Sequence, residues 1–177
     1  MLIYIIIMSY NKNNSLVKNG IVGENITKYF LCNIKDETFI KFNHDYKFDI
    51  KTNKGTYEIK TDNNFITYNS FFCEFMSNNK PSGINTTESD YYIFIGPNNE
   101  KFERNYIFLI ETNKLKKLID ENNFLKKNAP CKDYYNNVYS FNIGYIIPKT
   151  NLLKFASEHV INDVDYNDLY DIIQNLI

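Results

Sequence analysis

Phe42–Asp62 reads FNHDYKFDIKTNKGTYEIKTD. Tyr46 to Ile50 alternates aromatic or aliphatic with polar residues, and Thr56 to Lys60 does the same. Asn53-Lys54-Gly55 between them has the chemistry of a tight reversal. The pattern predicts a β-hairpin. Side chains two apart on a strand share a face. Glu58 and Lys60 therefore go together, and Tyr57 and Ile59 take the other face. A two-residue loop centred on Asn53-Lys54 sets Asp49 opposite Glu58; one centred on Lys54-Gly55 sets it opposite Lys60. Both put Asp49 on the Glu58–Lys60 face. A three-residue loop shifts the pairing unless a bulge at Gly55 restores it.

Two carboxylates side by side repel, and a divalent cation relieves that repulsion. Hard oxygen ligands suit Mg²⁺, which keeps several waters and binds through one or two carboxylates plus substrate phosphate. A lysine beside it can hold or polarise an attacking water. The competing reading of so short a pattern is a solvated hairpin face with a cross-strand ion pair.

Asp49…Glu58-Ile59-Lys60 resembles the D…(D/E)xK core of the PD-(D/E)XK nuclease superfamily. The run Phe71–Phe94, FFCEFMSNNKPSGINTTESDYYIF, is similar to a PSGI-x-TT-x-x-D-Y-Y block that follows the ExK strand in small phage- and virus-type members. The two blocks span Gly20 to Ile119. The resemblance implies an α/β, restriction-endonuclease-like fold: one domain over 1–177, with a central mixed β-sheet flanked by helices. It implies Mg²⁺-dependent hydrolysis of a DNA phosphodiester, with Mn²⁺ as an alternative metal. Asp49 and Glu58 would ligate the metal with the carbonyl of Ile59, and Lys60 would orient the water or help deprotonate it. Glu24 would add a carboxylate from the first helix; on residues alone it makes an i,i+4 pair with Lys28. Lys80, Ser82, Thr86 and Thr87 would give hydrogen bonds to DNA phosphates, which position a duplex without reading it. The plain alternative is a loop in which Thr86 or Thr87 caps a turn. The chain departs from the family name in one place: Phe48, not proline, precedes Asp49. Asp45 is a second acidic candidate just upstream.

A chain of 177 residues, 44% hydrophobic and 23% charged, has the length and composition of a globular domain with its own core. The bias to Asn, Lys, Ile, Tyr and Phe, with Arg104 the single arginine, is that of A/T-rich codons and suggests an A/T-rich virus, mobile element or bacterium. Net charge is −1, so no global basic field marks a nucleic-acid binder, and any basic rim must come from lysines. Cys32, Cys73 and Cys131 have no zinc spacing and read as free thiols in a reducing compartment. The apolar N-terminal run MLIYIII is too short to span a bilayer and lacks the features of a signal peptide. A cytoplasmic protein, of the host or in a virion if viral, with no membrane partner is expected.

Helical periodicity predicts a first helix over Ser15–Ile34. Strands are expected at Thr38–Phe42, Phe71–Met76, Asp90–Ile95, Tyr106–Ile110 and Ile143–Ile147. Glu74 is a carboxylate in an apolar strand, either outward-facing or beside the metal face. Thr112 is placed to cap a helix over Asn113–Glu121, whose Lys114, Lys116 and Lys117 form the best basic patch. Asn63–Asn69 reads as a polar passage, Asn122–Asn142 as irregular and aromatic, Asn151–Val160 as a short helix and Tyr166–Ile177 as a final amphipathic helix. Three functional readings follow: a deoxyribonuclease (restriction-like, nicking or junction-resolving, a homodimer if it cuts both strands), a catalytically silent nucleic-acid-binding module on the same fold, or a viral structural protein.

Overall fold

The hairpin closes through a two-residue turn. In the computed structural model, which describes residues 15–43, 47–99, 102–132 and 138–162, β2 (Ile50–Thr52) and β3 (Thr56–Thr61) pair antiparallel with Ile50 opposite Tyr57. Thr52 N–H reaches Gly55 O at 2.9 Å, so the loop is Asn53-Lys54 and Asp49 lies opposite Glu58. A buried carboxylate locks this turn from outside. Glu37 Oε2 accepts from Thr52 Oγ1 at 2.6 Å and from the Tyr57 hydroxyl at 2.8 Å.

The hairpin is one end of a six-stranded mixed sheet. β1 (Phe39–Phe42) flanks β2, and β3 runs parallel to β6 (Tyr91–Pro97). Next come β7 (Arg104–Glu111) and β10 (Ser157–Asn162), both antiparallel. A second, antiparallel sheet has the order β5 (Lys80–Pro81), β4 (Ser70–Ser77), β9 (Val138–Pro148), β8 (Lys126–Lys132).

Alternation along β6 explains how these layers stack. Ile93 and Ile95 point to one side with Tyr57 and Ile59, against Ile26, Phe30 and Leu31. These last three come from α1 (Ser15–Tyr29) and its π-helical extension Phe30–Ile34. Tyr92 and Phe94 point to the other side, against Phe71, Cys73 and Phe75 of β4 and Leu115 and Leu118. The central strand is thus buried on both faces, which is why it reads as a continuous apolar run. Gly23 lets α1 approach closely: a Cβ there would lie 2.1 Å from Thr61 Oγ1.

Several expectations need correction. The fold is mixed α/β, but its strands form two sheets, not one central sheet. Asn63–Asn69 contains a short helix, α2 (Phe65–Tyr68), whose Phe65 is buried and which carries the chain from the first sheet to the second. Asn122–Asn142 is irregular only in part: among the described residues it supplies β8 and the start of β9. β8 is an edge strand held by backbone pairing, which tolerates Pro130 and needs no alternation. Asn151–Val160 is not a helix either. Only α4 (Lys149–Leu152) is helical, and Ser157–Asn162 completes the first sheet beside β7. Thr112 begins α3 (Thr112–Asp120) without capping it; its hydroxyl lies 3.2 Å from Ser89 Oγ. The N-terminal run, Asp45 and the C-terminal helix lie outside the described residues. No helix among the described residues is long and apolar enough to cross a membrane.

Gly83 ties the loop after β5 to β4. It has φ +51°, and a Cβ there would meet Glu74 O at 2.3 Å. Gly83→Ala is expected to cost about 2–4 kcal/mol, from left-handed backbone strain plus a backbone clash. The urea midpoint of unfolding measures this.

Candidate active site

Asp49 stands just ahead of β2 and folds its carboxylate onto the neighbouring strand, where Oδ2 accepts the Ile59 N–H at 2.7 Å. Glu58 and Lys60 lie on the face of β3 that looks toward the second sheet, in register with Tyr92 and Phe94. At this sheet end the apolar filling gives way to a polar cleft of about 220 Å³, lined by Asp49, Glu58, Lys60, Glu74, Ser82, Gly83 and Thr86. The Lys60 ammonium lies 2.7 Å from Glu58 Oε1. The other Glu58 oxygen faces the Thr87 hydroxyl at 3.2 Å. Glu58 is only 7% exposed, so both contacts matter: a buried charge without partners is strongly unfavourable.

The remaining carboxylates arrive from different layers. Glu74 reaches in from β4 and accepts from Ser82 Oγ. Glu24 comes from α1, at the point where Gly23 brings the helix against β3. It makes no ion pair with Lys28 among the described residues; the Lys28 ammonium sits 4.4 Å from the Phe39 ring centre instead. Burial, then the negative charge of Asp49, push the Glu24 carboxyl from 4.5 up to about 7, against the opposing pull of Lys60. Burial draws Lys60 down, but Glu58 and Asp49 more than offset it, so its ammonium is held above its ordinary range and stays charged. Beneath the cleft, burial pushes the Cys73 thiol up to about 12 and raises the Tyr92 phenol well above its usual value. That floor stays neutral.

The hairpin thus assembles Asp49, Glu58 and Lys60, and the fold adds Glu24. Ile59 contributes its N–H to Asp49 while its side chain packs in the core on the helix side. The four hydroxyl and amine candidates separate. Lys80 is exposed on β5. Ser82 and Thr86 line the cleft, Thr86 Oγ1 also donating to Gly83 O at 3.3 Å. Thr87 is 5% exposed and turned inward. Sequence reasoning did not count Glu74 or Ser89 among the site residues; Glu74 was visible as a carboxylate inside an apolar strand. The lysine patch on α3 is partly neutralised, Lys114 by Glu111 at 2.7 Å and Lys117 by Glu121 at 3.6 Å. A larger hollow of about 400 Å³, bordered by Thr87, Ser89, Asp90, Glu111, Thr112 and Lys116, lacks the carboxylate–lysine arrangement.

No cluster of three or more His, Cys, Asp or Glu among the described residues is arranged as a metal cage. Mg²⁺ does not require one, since one or two carboxylates and several waters suffice. The donor chemistry fits a hard divalent cation: Asp49 and Glu58 oppose each other, and Glu24 and Glu74 add negative charge that one ammonium does not balance.

The raised Glu24 value makes a pH-dependent prediction. Because the folded-state pKa is raised, the folded chain holds a proton that the unfolded chain releases near 4.5. Stability therefore falls as pH rises from 4.5 to about 7 and stays lower above it. Glu24→Gln removes that fall. In EDTA at pH 8 it should be more stable than the wild type by about 1–2 kcal/mol, a figure reduced for the partial exposure of the group; at pH 4.5 the two should melt together. Denaturation series at both pH values check this. Comparison of the chain with protein-family models, curated proteins and solved structures gave no match.

Proposed function

We propose that the protein is a Mg²⁺-dependent deoxyribonuclease that hydrolyses DNA phosphodiester bonds on a restriction-endonuclease-like fold. One observation carries the reading: Asp49 and Glu58 face each other across adjacent strands, with the Lys60 ammonium 2.7 Å from Glu58, inside a polar cleft. Asp49 and Glu58 would hold the metal, with Glu24 supporting the acidic cluster. When bound, Mg²⁺ or Mn²⁺ supplies a Lewis acid that lowers the pKa of a coordinated water and offsets phosphoryl charge.

The chain's own groups do the rest. Lys60 stays an ammonium, so it acts as a donor: it orients the attacking water and stabilises the negative charge that grows on the phosphoryl oxygens. Ser82 and Thr86, on the cleft wall, and Lys80, exposed beside it, offer hydrogen bonds to the DNA backbone. Such contacts carry no sequence information, which suits a restriction-like, nicking or junction-resolving activity equally. Cutting both strands calls for two active sites and hence a homodimer. Host cytoplasm or virion is the setting in which such an enzyme of a virus or mobile element would meet DNA.

The test is a nicking assay on supercoiled plasmid with Mg²⁺ or Mn²⁺. Wild type should relax the plasmid, while Lys60→Ala and Glu58→Ala should each slow nicking by about 10²-fold or more. A wild type inert on plasmid, single-stranded and branched DNA with both metals would sink the nuclease reading. Retained DNA affinity without cleavage would then favour a silent binding module, and no affinity a structural protein.

A further inference from the structure

Thr87 belongs to a segment, Thr86-Thr87-Glu88-Ser89, whose polar side chains read as loop surface. Thr87 is instead buried. Four partners surround it. Thr87 Oγ1 lies 3.2 Å from Glu58 Oε2, 3.0 Å from Lys47 O and 3.0 Å from Ser89 Oγ, and it accepts the Ser89 N–H at 3.2 Å. Ser89 Oγ is in turn 3.2 Å from Thr112 Oγ1 at the start of α3. All three hydroxyl residues are buried.

Each hydroxyl carries one hydrogen, so these contacts cannot all be donated at once. Lys47 O is already served by the Glu88 N–H at 2.8 Å. Glu58 Oε1 is served by Lys60, which leaves Oε2 needing a donor. A hydroxyl bonded to a carboxylate makes a stronger hydrogen bond than one bonded to a neutral oxygen. The single Thr87 hydrogen is therefore best placed on Glu58 Oε2, while the Thr87 oxygen accepts the Ser89 N–H; Ser89 Oγ, an acceptor toward Thr87, and Thr112 Oγ1 lie behind it. The same segment grips the chain just ahead of Asp49, through the Glu88 N–H and a 3.0 Å ion pair from Lys47 to Glu88.

We propose that Thr87, held by the Ser89 N–H, is a positioning residue that fixes the Glu58 carboxylate and holds the segment before Asp49 beside it. The inference rests on the nuclease reading for its purpose, because fixing two opposed carboxylates matters most when they share a cation. It assigns Thr87 a role other than contact with DNA. Residues that orient metal-binding carboxylates change affinity by about 10–100-fold when removed, although they touch neither metal nor substrate.

The experiment is a calorimetric titration of the metal-free protein with Mn²⁺, run beside the plasmid assay and a thermal melt. Thr87→Val keeps the shape and deletes the hydroxyl, and Thr87→Ser keeps the hydroxyl. The expected result is Mn²⁺ binding weakened about tenfold or more in Thr87→Val and restored in Thr87→Ser. Wild-type Mn²⁺ affinity in Thr87→Val overturns the proposal, whatever its melting temperature. If Thr87→Val does not fold, Thr87→Ala decides by the same criterion. A wild type that binds Mn²⁺ but cuts no DNA defeats the nuclease reading while the Mn²⁺ series still judges Thr87. A wild type that binds no Mn²⁺ defeats both.

Discussion

A charged carboxylate buried between two sheets has to be paired, and Glu58 is the residue on which that constraint falls. It sits on the inner face of β3, where the neighbouring inward positions of β6 are the aromatic side chains of Tyr92 and Phe94. Leaving it unpartnered would cost several kcal/mol. The surrounding polar atoms are arranged accordingly: Lys60 serves one oxygen, Thr87 the other, and the segment bearing Thr87 is fastened to Lys47 and to α3. The hairpin register matters for the same reason. A slip of one residue would turn Glu58 and Lys60 toward α1 and send Tyr57 and Ile59 into the cleft. The Glu37–Thr52–Tyr57 network, which pins that register from the helix side, therefore acts on the site without touching it.

What the sequence made legible was local. Period-two alternation located the hairpin and short apolar runs located β4, β6 and β7, because each buries alternate or all positions against a neighbouring layer. The turn chemistry of Asn53-Lys54-Gly55 allowed two two-residue loops that agree on which side chains share a face, and a three-residue loop that shifts the pairing unless a bulge restores it. β8 and β10 were hidden for a physical reason. Both are edge strands held by backbone hydrogen bonds, and their mostly polar, exposed side chains carry no inward pattern. The 126–132 segment contains a proline and two adjacent lysines, which suggest a loop to any reading based on side chains. β8 and the first part of β9 widen the second sheet, whose strand β4 brings Glu74 to the cleft that Glu58 lines.

The candidate site divides along the same line. Asp49, Glu58 and Lys60 were legible because a strand fixes their direction over short distances. Glu24 was nominated by resemblance alone; its approach depends on Gly23, whose missing side chain lets α1 close against Thr61. Thr87 was nominated for the wrong side of the surface. A threonine pair after a proline-glycine turn has the composition of an exposed loop, and only the tertiary contact between Thr87 and Glu58 shows that position 87 falls beside that carboxylate. Hydroxyls are ambiguous in this respect: they suit solvent, a phosphate or a buried carboxylate equally well, and the partner is supplied by tertiary structure.

A cross-strand ion pair would also place an acid and a lysine on one hairpin face, so their presence alone does not distinguish a structural pair from a cation site. The proposed cation site is supported instead by the surplus of acid. A structural pair needs one carboxylate for one ammonium, and Glu58 with Lys60 already meets that need. Asp49 and Glu74 then add negative charge around the same ammonium, and burial first, then Asp49, raises the Glu24 carboxyl to about 7. Local strain or charge repulsion of this kind is expected where another species completes the structure. On the proposed nuclease reading, an oxygen-only donor set suits a hard divalent cation better than a second lysine, because several carboxylates at once can share a small ion and its waters, whereas an ammonium on a strand reaches only its immediate neighbours.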